Sequence, residues 1–187
     1  RQFAALGYGE EAAAMSRFAA DERRHGLLCG AVVQALGGQA FAVVREPAEL
    51  PAHPDATSPL EAVLRNVLSV CCLSETVAVA LIGAERLEME PGPLRELLDT
   101  ILADEVAHAR FGWRLLDRLA PSIDAPMRAR LSAYLRVAFE HLYAHELEHL
   151  PLASRPPAVG ARYGLCNGAD ARRLFVDVVR AAIVPGL

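Results

Sequence analysis

The chain has 187 residues, of which 53% are hydrophobic, 22% charged and 6% aromatic, and its formal charge is −4. That length suits one domain or two small ones with a real core, and the apolar fraction excludes a disordered chain. The mildly acidic balance gives no electrostatic case for nucleic acid or an anionic membrane surface, and the basic side chains are all arginine, lysine being absent.

Helix signals dominate and strand signals are nearly absent. Residues 1–6 form a short stretch that ends at the Gly7-Tyr8-Gly9 turn. A long helical pattern covers residues 10–36 and stops at Gly37-Gly38. Residues 39–57 read as a loop punctuated by Pro47, Pro51 and Pro54, with the apolar run 41–44 taken as packing rather than a strand. Ser58 is placed to cap the next helix, with Pro59 at its first position, and that pattern runs to about Met89. Pro91-Gly92-Pro93 is a tight break, so the helices on either side must be antiparallel. The following helix covers residues 93–119 and ends before Pro121; Asp124 then caps another over 125–150. Residues 151–167 hold Pro151, Pro156 and Pro157 and read as a long loop. A last amphipathic helix spans about 170–184, placed to cover an open end or to mediate a homodimer.

Residues 66–85 are almost wholly apolar and long enough, on that count, to span a bilayer. Glu75 sits at the middle of the run, and a carboxylate at mid-bilayer is expensive. A helix buried in a soluble bundle is therefore expected. No signal peptide opens the chain. Cys71 and Cys72 are adjacent, Cys29 and Cys166 are distant, and there is no C-x-x-C. Buried thiols in a reducing cytoplasm are the expectation.

An internal repeat carries the chemistry. Residues 20–25 (ADERRH) and 103–108 (ADEVAH) share the pattern A-D-E-x-x-H, each copy in mid-helix. Glutamate and histidine three apart lie on one helix face. The stripe through the first copy is Met15, Phe18, Glu22, His25, Cys29, Val32 and Leu36; through the second it is Leu94, Leu98, Ile101, Glu105, His108, Gly112, Leu115 and Leu119. On the helix between them it is Leu64, Leu68, Cys71, Glu75, Ala78 and Ile82. Each stripe is apolar except at its centre, so Glu22, His25, Glu75, Glu105 and His108 are expected to point into the core. Three buried carboxylates need a neutralising charge. A metal pair supplies it, and carboxylate with imidazole suits iron or manganese. Asp21 and Asp104, four residues before each histidine, are placed to accept its second ring N–H. A loop of 19 residues after a helix about 40 Å long reaches back along the whole bundle, a single long crossover of the kind found in four-helix bundles.

The doubled motif with a central glutamate between its copies resembles the ferritin-like di-iron carboxylate superfamily, which includes rubrerythrins, bacterioferritins and several di-iron oxygenases. The likeness covers about residues 1–120. It implies an all-α fold: a ferritin-like four-helix bundle, with residues 121–187 as additional helices packed on it. It further implies two iron ions held by Glu22, His25, Glu75, Glu105 and His108, with Glu22 and Glu105 bridging. The family also takes a glutamate from the first helix. Counting back from the turn at 7–9 puts that residue some seven positions before Arg1. The first helix is thus expected to be largely missing, with Arg1 a point inside it; the alternative is a degenerate site for one metal or none. The activity implied is that of an O₂-activating oxidase or monooxygenase acting on a small or modified substrate with an unidentified electron donor. The alternatives are iron binding for storage or peroxide scavenging, or a structural bundle with a relic site.

Two other features compete. Residues 145–149 (HELEH) match H-E-x-x-H, and with His141 they place imidazoles at i, i+4 and i+8. A metalloprotease needs a further ligand downstream, and no Glu or His follows His149. A histidine-bearing packing face or a loose surface metal site is the better reading. Trp113, Tyr134 and Tyr143 are read as core or boundary aromatics rather than redox relays.

Overall fold

The computed structural model describes residues 2–41 and 50–187. Among these, every regular element is helical and none is a strand. The chain divides into two compact units, Arg1–Val63 and Leu64–Leu187.

In the first unit, α1 (Gln2–Ala5) ends where Gly7 takes φ +78°. Tyr8 N–H donates to the Phe3 carbonyl at 3.0 Å and Gly7 N–H to Ala4 at 3.1 Å. This is a Schellman motif, and the ring of Tyr8 packs edge-on against Phe3 at 6.4 Å to complete it. The same device ends α2 (Gly9–Ala35): Gly37 takes φ +83°, and Gly38 N–H donates to Val33 O at 2.8 Å. The chain leaves that end of α2, yet Gln2 Nε2 donates to Pro51 O at 3.3 Å. The crossover therefore returns to the α1 end, the direction expected of it. Residues 42–49, including most of the apolar run 41–44, and Arg1 lie outside the described residues. Phe41, the first residue of that run, is exposed rather than packed.

Ser58 and Pro59 start α3 (Pro59–Val67) as their chemistry requires, with Glu61 N–H donating to Ser58 Oγ at 3.1 Å. Glu61 reaches back in turn: its carboxylate accepts from Thr57 Oγ1 at 2.8 Å and Thr57 N–H at 3.2 Å. Sequence reading did not pick out this fully buried glutamate, although Ser58-x-x-Glu61 has the spacing of a capping box.

The helix does not run on as an α-helix. Residues Leu68–Ser74 are a π-helical segment, followed by α4 (Glu75–Leu87). The whole helix, Pro59–Leu87, is long and apolar enough to cross a membrane by length and composition alone. Leu64, Cys72 and Leu73 on it are fully buried inside the protein, while 33% of its most apolar 18-residue window is buried.

Within the second unit, α4 packs against α5 (Pro93–Leu119), α6 (Ala125–His149) packs against the π segment, and α7 (Gly168–Val178) packs against α4. Thr76 meets Trp113 and Arg86 meets Asp99. The partner on α5 moves back along the chain as α4 advances, so the pair is antiparallel, as the short Pro-Gly-Pro turn dictates. The buried face of α5 is Ile101, Glu105, His108, Gly112, Leu115 and Leu119, with Ala109 beside them. Asp124 caps α6 by accepting from Met127 N–H at 2.8 Å. Helix α7 starts at Gly168, two residues before the approximate start expected, with Asn167 as its cap, accepting from Ala169 N–H at 2.8 Å. It ends at Val178 and gives way to a second π turn, Val179–Ile183, and the short α8 (Val184–Gly186).

Candidate metal centre

Helices α4 and α5 bring three of the expected ligands together. His108 Nδ1 lies 3.3 Å from Glu105 Oε2 and 3.9 Å from Glu75 Oε2. One ligand atom from each of these three residues falls within 4.8 Å of the others. Glu105 and His108 are buried, and the Glu75 side chain is only 16% exposed. Glu105 Oε2 and His108 Nδ1 are both shielded from solvent.

The close approach has a structural cause one turn away. A Cβ at Gly112 would lie 2.4 Å from Cys71 Cβ and 2.9 Å from the Cys71 backbone carbon. Only glycine lets α5 touch the π segment there. Gly112 follows His108 by four residues and Cys71 precedes Glu75 by four, so this contact sets the helix separation beside the ligands. The extra residue per turn in the π segment fixes the direction from which Glu75 enters. Tyr134 holds the segment from α6, sharing a 2.7 Å hydrogen bond with Ser69 beneath the Arg65 guanidinium. Trp113 Nε1 donates to Thr76 Oγ1 at 2.9 Å, pinning the residue after Glu75 to α5. Tyr143 stacks edge-on against Phe175. The three aromatics are thus packing residues, as expected, with polar ends that position the helices.

In the first unit, the other copy of the motif has the same local geometry: His25 Nδ1 lies 3.7 Å from Glu22 Oε2. Its burial differs. His25 is buried, but the Glu22 side chain is 53% exposed, as are Cys29 and Leu36 on the same stripe. This corrects the expectation that Cys29 is a buried thiol. Within its unit, α1 packs on α2. Asp21 is engaged by Arg24 at 3.1 Å. Asp104 is half-buried on α5 beside Glu105.

The donors that α4 and α5 bring together are carboxylates and an imidazole, a kind of set that suits hard to borderline divalent ions such as iron or manganese. Thiolate is not part of it. Burial, aided by the Glu75 charge, pushes the Cys71 thiol up to about 12, and Cys72 is pushed up by burial and by Cys71. Both therefore remain neutral packing groups at neutral pH. A cavity of about 540 Å³ lies at the C-terminal end of α5, lined by Leu68, Trp113, Leu116, Leu131 and Leu135, with Arg128 among its polar residues. Comparison with protein-family models, with curated proteins and with solved structures finds no match.

Proposed function

We propose that the chain is a ferritin-like di-iron protein that activates O₂ for the oxidation of a small or modified substrate. The observation that carries this reading is the convergence of Glu75, Glu105 and His108 on the inward side of α4 and α5. Such a group is costly to bury unless a cation neutralises it. In the proposal Glu22, His25, Glu75, Glu105 and His108 would hold the iron. Bound iron would supply the redox chemistry with O₂. The chain's own part is to hold the ligands, with Asp21 and Asp104 fixing the histidine rings through their second nitrogens. Leu64, Leu73 and Val77, buried along the same helix, keep water from the Glu75 side. The cavity beside Trp113 offers a seat for an organic substrate of modest size. O₂, the substrate and an electron donor are the partners required, and four free cysteines suit a reducing cytoplasm.

A second reading is a degenerate site that binds a single metal. Anaerobic Fe(II) titration separates the two: a pair of ions per chain supports the di-iron protein, and one supports the reduced site. Admission of O₂ then tests activity. Oxygen uptake that forms an oxidised organic product supports an oxygenase, growth of a ferric mineral points to storage, and neither outcome with iron bound removes the enzymatic reading.

A further inference from the structure

The H-E-x-x-H run at the end of α6 is not used by the buried centre, and its geometry is specific. The rings of His145 and His149 lie 4.4 Å apart, centroid to centroid, tilted by 32°. Both are exposed, His145 to 67%. Each has its Nδ1 occupied by an acceptor. His145 Nδ1 lies 3.1 Å from Glu146 Oε1, and His149 Nδ1 lies 2.8 Å from the His145 carbonyl oxygen. A carboxylate and a carbonyl can only accept, so in both rings Nδ1 must carry the proton. Each neutral imidazole therefore presents the lone pair of its Nε2, the form in which histidine binds metal.

We infer that His145 and His149 form a second, surface site for one borderline divalent cation, Cu(II), Ni(II) or Zn(II), bound through the two Nε2 atoms. A metal about 2.0–2.1 Å from each nitrogen sits roughly 3.2 Å from each ring centre. Two such rings at a right angle about the metal would have centroids about 4.5 Å apart, close to the separation present. A right angle between nitrogens suits the tetragonal preference of Cu(II) and Ni(II). The hydrogen bonds to Nδ1 are those that orient and strengthen a ligating histidine. The rings project from the last two turns of α6, where the helix dipole favours a cation. Arg172, on α7, fixes this end by donating to the Leu147 carbonyl at 2.8 Å and to that of Leu150. Among the described residues no third His, Cys or carboxylate joins the pair in a ligand group, so the other coordination positions are open to water or to an exogenous ligand. The arrangement is not that of a metalloprotease. Glu146 is buried and bonded to the Nδ1 side of His145, away from any water on a metal at Nε2.

The test is Cu(II) titration of the full chain, followed by calorimetry and electron paramagnetic resonance. It compares the unaltered chain with His145→Gln, His149→Gln and the double variant. Circular dichroism checks that the exposed replacements leave the helices intact. The double variant should bind one equivalent of copper fewer. Each single variant should weaken that equivalent at least tenfold and reduce its coupled nitrogens from two to one. Equal stoichiometry, affinity and nitrogen coupling in the unaltered chain and the double variant would overturn the site, whatever the buried centre binds.

Discussion

At the scale of single residues, Glu105 and His108 are constrained most tightly. His108 is 1% exposed, with two carboxylates about its Nδ1. Replacing Glu105 by Gln removes a ligand and a negative charge while keeping the shape. Fe(II) or Mn(II) affinity should fall at least tenfold, since even groups that only support a ligand are worth about 10–100-fold. The metal-free protein should melt no lower than before, because Glu75 loses a like-charged neighbour. Parallel metal titration and thermal melts check both halves; a lower metal-free melting point with unchanged affinity would assign Glu105 a structural role alone. The thiols separate by exposure in the same way. Cys29 is exposed, whereas Cys166 is partly buried, donates to Glu85 at 3.4 Å and is pushed up to about 11 by burial and that carboxylate. Iodoacetamide at pH 8 should therefore modify Cys29 first, Cys166 far more slowly and Cys71 and Cys72 only on unfolding. Peptide mapping over time reads the order directly.

At the scale of elements, the contact between Gly112 and Cys71 sets how close α5 comes to the π segment. A methyl group at Gly112 has no room, so Gly112→Ala must move the helices apart. The cost should be about 1–3 kcal/mol, a loss of roughly 3–10 °C in melting temperature for a chain of this size. Metal affinity should fall with it, because the ligands lie one turn away. Calorimetric melts and Fe(II) titration of that variant test the coupling. Ser58→Ala, which removes the α3 cap, should cost about 1 kcal/mol and leave metal binding unchanged. Much of this level was legible in the sequence. The Gly37-Gly38 stop, the Ser58-Pro59 start and the Asp124 cap each rest on local chemistry that a few neighbouring residues encode. The π segment was not. Five of the seven residues from Leu68 to Ser74 are apolar, and the consecutive Cys71, Cys72 and Leu73 are all buried, so an extra residue per turn leaves little trace in the hydrophobic period. The start of α7 was legible to within two residues; tertiary packing at Gly168, where a side chain would strike the Pro151 carbonyl, helps to set it just after Asn167.

At the scale of the whole molecule, the buried half of the site on α4 and α5 was readable because its stripes are apolar on both sides of the polar centre. The face of α2 has the same periodicity, yet Glu22 is exposed, since periodicity marks a face without saying what covers it. The absence of lysine has a consequence for stability at high pH. Cys71 and Cys166 keep their protons in the folded chain up to about 12 and about 11, from an ordinary value of 9.0. Above pH 9 the unfolded chain releases those protons and the folded chain does not, so stability should fall as pH rises from about 9 to about 12. With no lysine titrating in that window, thiols dominate alongside four tyrosines. Urea midpoints should drop between pH 8 and pH 10.5, and Cys166→Ser should flatten part of the drop. The central claim concerns iron. Crystals loaded anaerobically with Fe(II) and measured across the iron absorption edge test it most directly. The account predicts an anomalous peak within bonding distance of Glu75, Glu105 and His108, and a second shared with Glu22 and His25. A folded protein with no iron peak between α4 and α5 would contradict it.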